Sequence, residues 1–330
     1  MRLPYFIWML TLSVSFGLFS GCKSSKKAAR DYPEPPRWIM DRPVAPGYYF
    51  GTGSAVKRGS SQIYRQRAAD KALADIAGQI SMYINSNVSM YRVEDKFGVR
   101  EVFENRIKTE SEDFLEGQEL IDEYENEEYY YVLYRLSKET YLQKRNERRK
   151  KAMEAALQNY KSGMEKLRER DYQLSVRFFV KSIENITPFW GEKTTVVSET
   201  DTIDLFADPL EKLKSVSGVL HLEPAFYEVN FDKALSELFF TVTDYEGNPV
   251  EEVPLRFSLR GGYLISNRGK TDSSGQCKVP EMNIPESRSF VVLKAKVDYQ
   301  HWINQSTENI EIRKLVKDWA IPECEVVLRE

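Results

Sequence analysis

The 330-residue sequence predicts an α+β multidomain protein: an N-terminal α/β module (strand, long helix, β-hairpin), a helical hairpin, and a C-terminal antiparallel β-sandwich. Three observations carry that expectation. Ala69, Ala72, Leu73, Ile76, Ile80, Ile84 and Val88 recur at helical spacing, the mark of one buried stripe. The run "QELIDEYENEEYYYVLYRLS" reads as two strands about a polar turn at Glu125-Asn126-Glu127. From Gly218 onward, short alternating runs such as "ELFFTVTD", "PLRFSLR" and "FVVLKAKVD" are separated by Gly, Pro and Asn, the spacing of a sandwich.

The first element is not part of the fold. Arg2 precedes an apolar run from Tyr5 to Phe19, and "FSGC" ends it at Cys22. A basic residue, a hydrophobic stretch of about 15 and small residues before a cut make a secretory signal. A spanning helix needs about 20 apolar residues, so an uncleaved anchor helix is the weaker reading. Small residues ahead of a cysteine resemble the bacterial lipobox. That resemblance implies cleavage after Gly21 and acylation of Cys22, with palmitate-type chains holding the protein on a membrane. Each buried methylene contributes about 0.8 kcal/mol, so one chain binds reversibly and two or three hold. By the same resemblance, Lys23-Ser24-Ser25 without Asp implies outer-membrane delivery, on the periplasmic face. "KSSKKAARDYPEPP" then forms a polar tether reaching roughly 40 Å if extended.

Along the mature chain, Tyr48-Tyr49-Phe50 is expected as a short strand and Gly51-Thr-Gly53-Ser-Ala55 as the bend into the long helix capped at Ser60 or Ser61. A dinucleotide loop needs a third glycine at position 56, which is Val56, so nucleotide binding is set aside. Residues 99–115 fit either a helix or a strand. Ser137 caps a second long helix, and Asp171-Tyr172 opens another that ends near Asn185. Gly163, Tyr172, Ser175, Phe179 and Ser182, with Pro188 beyond, resemble one tetratricopeptide repeat. Residues 187–217 read as a connection, with a short helix at Pro209 to Lys214. The resulting organisation is signal peptide 1–21, lipidated tether 22–36, α/β module 37–140, helical hairpin 141–186, linker 187–217 and sandwich 218–330.

Two family resemblances bear on this plan. Pro36, Trp38 and Pro43, then Gly51, Gly53 and Ala55, then Ala69, Ala72, Asp75, Ile76, Ala77 and Ile80 stand in an order that resembles the LPP-twenty family of bacterial lipoproteins and the amino-terminal module of flagellar assembly protein T. The resemblance covers about residues 36–140. It implies a small α/β module on an outer-membrane lipoprotein without catalysis. Val242, Asp244, Gly247, Pro249 and Val250, followed by Thr271, Asp272 and Gly275, resemble the turns of bacterial immunoglobulin-like and carboxypeptidase-regulatory-like domains.

Charge and candidate chemistry narrow the function. Loss of residues 1–21 removes only Arg2, leaving 46 basic against 50 acidic residues, net −4, with no general attraction to nucleic acid. Residues 94–128 carry fourteen acids against four bases, and 141–170 ten bases against four acids. Segments so opposed pair within the chain, pair between copies, attract a charged partner, or stay solvated. Arg148-Arg149-Lys150-Lys151 is the densest basic run. "RGKTD" at 268–272 ends like a phosphate loop, but Ser273-Ser274-Gly275 makes it a hairpin turn. His221 and His301 stand apart in strand-like contexts, so no metal and no cofactor are expected. Cys277 and Cys324 sit at inward strand positions. They are either a disulfide closing a 47-residue loop, worth ~4 kcal/mol, or two separate buried thiols.

The expectation is a periplasm-facing outer-membrane lipoprotein, not an enzyme, that binds envelope proteins as an assembly factor of secretion, motility or cell-wall machinery. The alternative is peptidoglycan or other glycan binding, with the tyrosines of "EYYYVLY" and Trp190 as stacking surfaces. An envelope hydrolase is the remote alternative.

Overall fold

The computed structural model describes residues 33–87, 115–190, 192–198, 201–231, 237–317 and 319–330. The signal, Cys22, most of the tether, Val88 and nearly all of the 99–115 segment lie outside those residues. What is described is an α+β architecture of several antiparallel sheets and helices.

The first sheet is three-stranded. Strand β1 (Tyr48–Val56) lies at one edge, β3 (Tyr129–Ser137) is central, and β2 (Glu119–Glu125) forms the other edge, all antiparallel. Helix α1 (Ser61–Asn87) packs on one face. The strand expected over three residues therefore runs for nine, and Gly51-x-Gly53 lies inside it. The bend comes later, at Gly59, whose φ of +87° suits glycine.

Steric room explains why both glycines lie within the strand. Gly51, Gly53 and Ala55 alternate onto the buried face of β1. A Cβ on Gly53 would lie 1.9 Å from Ala68 O, and one on Gly51 would lie 2.0 Å from Ala72 O. Only glycine lets the helix backbone come so near the strand. The buried stripe of α1 is Ala68, Ala72, Ile76, Ile80, at intervals of four; Ala68 takes the place expected for Ala69, which is half-buried. Small residues serve where the elements nearly touch. Ile76 and Ile80 then fill the space that opens toward Tyr49, Leu136 and Tyr141.

Ser137 caps α2 (Lys138–Arg168), its Oγ accepting from Thr140 N at 3.3 Å. Helix α2 continues straight from β3, so Tyr141 still packs with the first module while Ala156 and Gly163 pack farther on. Asp171 caps α3 (Tyr172–Ile186), whose return along α2 forms the expected helical hairpin. A Cβ on Gly163 would lie 2.6 Å from the Phe179 ring, and Ser182 Oγ donates to Ala156 O at 2.8 Å. The repeat-like spacing thus encodes close approach of two helices.

Residues 187–217 do more than connect. They fold into a 3-10 turn at Thr187–Phe189, a hairpin of β4 (Thr195–Ser198) and β5 (Asp201–Asp204), and helix α4 (Ala207–Val219). Leu205, Leu210, Leu213 and Val216 place this segment in the same apolar core as α3 and the sandwich. Buried leucines at intervals of about three outweigh the polar composition that suggested a linker.

The sandwich comprises β6 (His221–Pro224), β7 (Glu228–Asn230), β8 (Phe239–Thr243), β9 (Pro254–Arg260), β10 (Tyr263–Leu264), β11 (Arg268–Lys270), β12 (Gln276–Lys278), β13 (Met282–Asn283), β14 (Phe290–Val297) and β15 (Glu323–Arg329). One sheet has the order β11-β9-β14-β15-β7, the facing one β12-β8-β6, and β10 pairs with β13. Two features depart from expectation. β15 pairs with β7 in parallel, and helices α5 (Tyr299–Ser306) and α6 (Ile310–Leu315) lie between β14 and β15. Tyr299 and Trp302 of α5 are buried, and Tyr299 Oη donates to Leu213 O at 2.7 Å, so the insertion joins the sandwich to α4.

Replacing Gly53 by Ala forces a methyl into the Ala68 carbonyl, so chemical denaturation should show a loss of about 1–3 kcal/mol or more. Gly78→Ala, with nothing within 4 Å of the added methyl, should gain up to about 1 kcal/mol through helix propensity.

Candidate functional site

The motif residues of the first module work on packing and on the free edge of β1. Lys71, Asp75 and Gln79 are spaced by four along α1 and reach the unpaired backbone of that strand. Lys71 Nζ donates to Ser54 O (2.8 Å), Thr52 N donates to Asp75 Oδ2 (3.2 Å) and Gln79 Nε2 donates to Phe50 O (2.7 Å). Arg42 Nη1 lies 2.6 Å from Asp75 Oδ1. A strand edge left bare would invite pairing with another chain, and here the packed helix covers it with side chains.

The sheet face away from α1 is aromatic. Register puts Tyr48 and Phe50 of β1, Tyr129 and Tyr131 of β3 and Tyr124 of β2 on that side. Tyr131 lies 6.0 Å from Tyr124 and 5.9 Å from Tyr129, ring centre to ring centre. Arg135 stacks over Tyr48 at 4.9 Å. The chain leading in from the tether crosses this face. Tyr124 Oη donates to Pro33 O (3.0 Å), and Trp38 Nε1 donates to Asp122 Oδ2 (2.8 Å). Trp38 and Leu133, on a strand otherwise covered from the other side, are both buried. The proline-flanked tryptophan thus fastens the start of the module onto its second face.

Of the aromatics expected as stacking surfaces, Tyr129 and Tyr131 are half-exposed here. Tyr130 faces the helix and is buried, donating to Glu123; burial and then that carboxylate push its hydroxyl pKa well up. Trp190 is also buried, 5.2 Å from Phe206, and offers no stacking surface. Its context is core, which the linker reading of 187–217 concealed.

The opposed charge segments meet in part. Glu116 pairs with Lys144 at 3.1 Å and Arg148 at 4.0 Å. Arg145 and Arg149 both reach Glu192, from the segment after α3. Much of the acidic stretch lies outside the described residues.

A buried carboxylate joins helical hairpin to sandwich. Asp244, in the turn after β8, accepts from Glu246 N and Asn248 N at 2.9 Å each, and from Tyr172 Oη at 3.3 Å. Arg170, in the left-handed region at φ +63° between α2 and α3, approaches it at 3.6 Å and also pairs with Glu246. Burial raises the Asp244 pKa, but the Asn248 donors, the Glu246 amide and Arg170 outweigh it and hold the carboxyl below its usual range. Tyr172 moves the other way, up to about 12, through burial and the adjacent Asp244 charge. The second expected turn is built alike: Asp272 accepts from Ser274 N and Gln276 N, and Gly275 has φ +73°. "RGKTD" is thus strand β11 and this turn.

The remaining candidates are dispersed. His221 is exposed at the start of β6; His301 is on α5, not on a strand, because the buried Tyr299 and Trp302 beside it follow a helical period. Among the described residues no group of His, Cys, Asp and Glu converges as metal ligands would. Cys277 is on β12 and Cys324 on β15, in facing sheets, and the two are unbonded thiols. A Cβ on Gly269 would lie 2.6 Å from the Cys277 sulfur, so that thiol packs against β11. Burial pushes both thiols up to about 11.

No family model matches the chain, and no curated protein matches it. A comparison with solved structures finds the secreted protein HP1454 from the human pathogen Helicobacter pylori. It is 10% identical, with 82% of this chain and 98% of that one covered, at a TM-score of 0.21.

Two measurements check these assignments. Because the folded-state pKa of Asp244 is depressed, its contribution is complete above the unfolded value near 3.9 and is lost as pH falls through the folded value. Asp244→Asn should therefore cost about 1–3 kcal/mol at pH 7, a deficit that shrinks below pH 4. In native protein at pH 8 both thiols should resist maleimide, and unfolding without reductant should add a label at each of Cys277 and Cys324.

Proposed function

We propose that this chain is a lipid-anchored protein of the bacterial outer membrane, facing the periplasm, that acts by binding as an assembly factor of an envelope complex. The carrying observation is Cys22 at the end of a signal-like segment, followed by a tether whose far end is fastened to a folded module at Tyr124 and Trp38. A lipid on Cys22 would keep that module within reach of a leaflet: ten residues separate Cys22 from Pro33, roughly 35 Å when extended.

Seven of the residues that resemble the LPP-twenty pattern support a non-catalytic role, because they are engaged in packing or edge protection. Gly51 and Gly53 admit the helix, Ala55, Ile76 and Ile80 fill the contact, Asp75 takes up a strand amide, and Trp38 holds the entering chain. No helix among the described residues is long and apolar enough to cross a membrane, so on this reading the acyl chains supply the attachment.

A second reading, glycan binding, is favoured by the half-exposed row Tyr124, Tyr131 and Tyr129. Sugar rings stack on such faces. Co-sedimentation with purified peptidoglycan that Tyr131→Ala abolishes would support it over protein assembly.

The anchor is tested directly. Labelled palmitate should enter the wild-type chain and fail to enter Cys22→Ser, and membrane fractions should lose the variant as well. An unlabelled wild-type chain that is soluble in the cytosol would end the proposal.

A further inference from the structure

A cleft of about 320 Å³ opens where the helical hairpin, α5 and the edge of the five-stranded sheet meet. Its walls include Gln173 from α3, Glu252 and Asp298 from strand ends, Arg268 and Lys270 from β11, and His301 and Gln305 from α5. That volume lies at the lower end of the range for small-ligand sites, which combine a shaped hollow with a few convergent polar groups.

The charges in and beside the cleft do not balance. Lys270 Nζ lies 2.7 Å from Glu252, and Arg256 holds Asp298 at 2.9 Å, which uses both acids. Arg268 is the direct register partner of Arg256, and Lys296 pairs with Arg256 from the other side. Three cations thus stand in one row across β11, β9 and β14, an arrangement that repels itself when unmatched. Glu323 lies 3.9 Å from Lys296 but 2.6 Å from Lys294. Arg268 has no acid within ion-pair distance among the described residues and opens into the cleft.

Two further features suit a ligand. Glu252 sits in the left-handed region at φ +61°, where a residue other than glycine is held at some cost in energy. Its amide donates to Thr271 O at 2.9 Å while its carboxylate fixes Lys270 at the rim. Gln305 Nε2 donates to His301 Nε2 at 2.9 Å, which leaves the other ring nitrogen of the neutral imidazole as a donor. Asp298 is nine-tenths buried and keeps Arg256 aligned along the sheet.

From the unmatched guanidinium, the neighbouring cations and the neutral donors around them, we propose that this cleft binds an anionic group, a carboxylate or a phosphoryl, on a small ligand. Arg268 supplies the charge; His301, Gln305 and Gln173 supply neutral hydrogen bonds. The site shares no residue with the aromatic sheet face and does not depend on the anchor.

The chain has only two histidines, so its imidazole proton spectrum can be read directly. The full mature chain is titrated separately with inorganic phosphate and with succinate at constant ionic strength and pH. The His301 signals, identified by their loss in His301→Gln, should move and saturate on the order of millimolar, while those of His221 stay still. Arg268→Ala should weaken binding about tenfold. Arg288→Ala, an exposed cation toward the other end of β14, should leave it unchanged. Saturation by phosphate alone assigns a phosphoryl site, and by succinate alone a carboxylate site. No movement with either probe, or equal weakening by the two arginine variants, overturns the proposal.

Discussion

The first module rests on a helix lying directly against a strand backbone. Gly51 and Gly53 leave no side chain between β1 and the carbonyls of Ala68 and Ala72. That proximity places Lys71, Asp75 and Gln79 within reach of the strand's free edge, so the same contact that buries the face also closes the border. It turns the tyrosines of β3 alternately toward the helix and toward the second face, where Trp38 is held by Asp122. A larger residue at either glycine would lift the helix and disturb all three arrangements together.

The second half is joined by a different device. Helix α2 carries the first module's last strand into the helical hairpin without a break, and Asp244 fixes the hairpin's turn to the sandwich. A buried carboxylate with several donors is costly to break and rather indifferent to replacement by an apolar design. Its value here lies in orientation, since Arg170 comes from the turn between the helices and Tyr172 from the first residue of α3. Helices α4 and α5 complete the contact, so the apolar core runs without interruption from Ala156 to Leu328.

The parts legible in the sequence were those set by local rules. Ser137 and Asp171 cap their helices, Asn126 makes the hairpin turn, and Asp244, Gly247, Asp272 and Gly275 make the sandwich turns, because each acts on backbone groups a few residues away. The parts that were not legible depend on distant partners. Gly51-x-Gly53 looked like a bend because glycine usually marks one; its reason is a helix carbonyl fifteen or more residues on. Residues 187–217 looked like a linker because their buried leucines face elements that come both before and after them. The helices between β14 and β15 interrupt a run of alternating strands, and His301 lies on one of them rather than on a strand. The charged cleft has no linear signature, because its residues come from α3, three strand ends and α5.

The close contact of β1 and α1 can be observed without altering it. In a nuclear Overhauser experiment, the α-protons of Gly51 and Gly53 should show strong cross-peaks to protons of Ala68 and Ala72 and remain unmoved when a nucleotide is added. Absence of those cross-peaks, with both glycine signals shifting on nucleotide addition, would mean that the stretch is a ligand loop and that the module is assembled on some other contact.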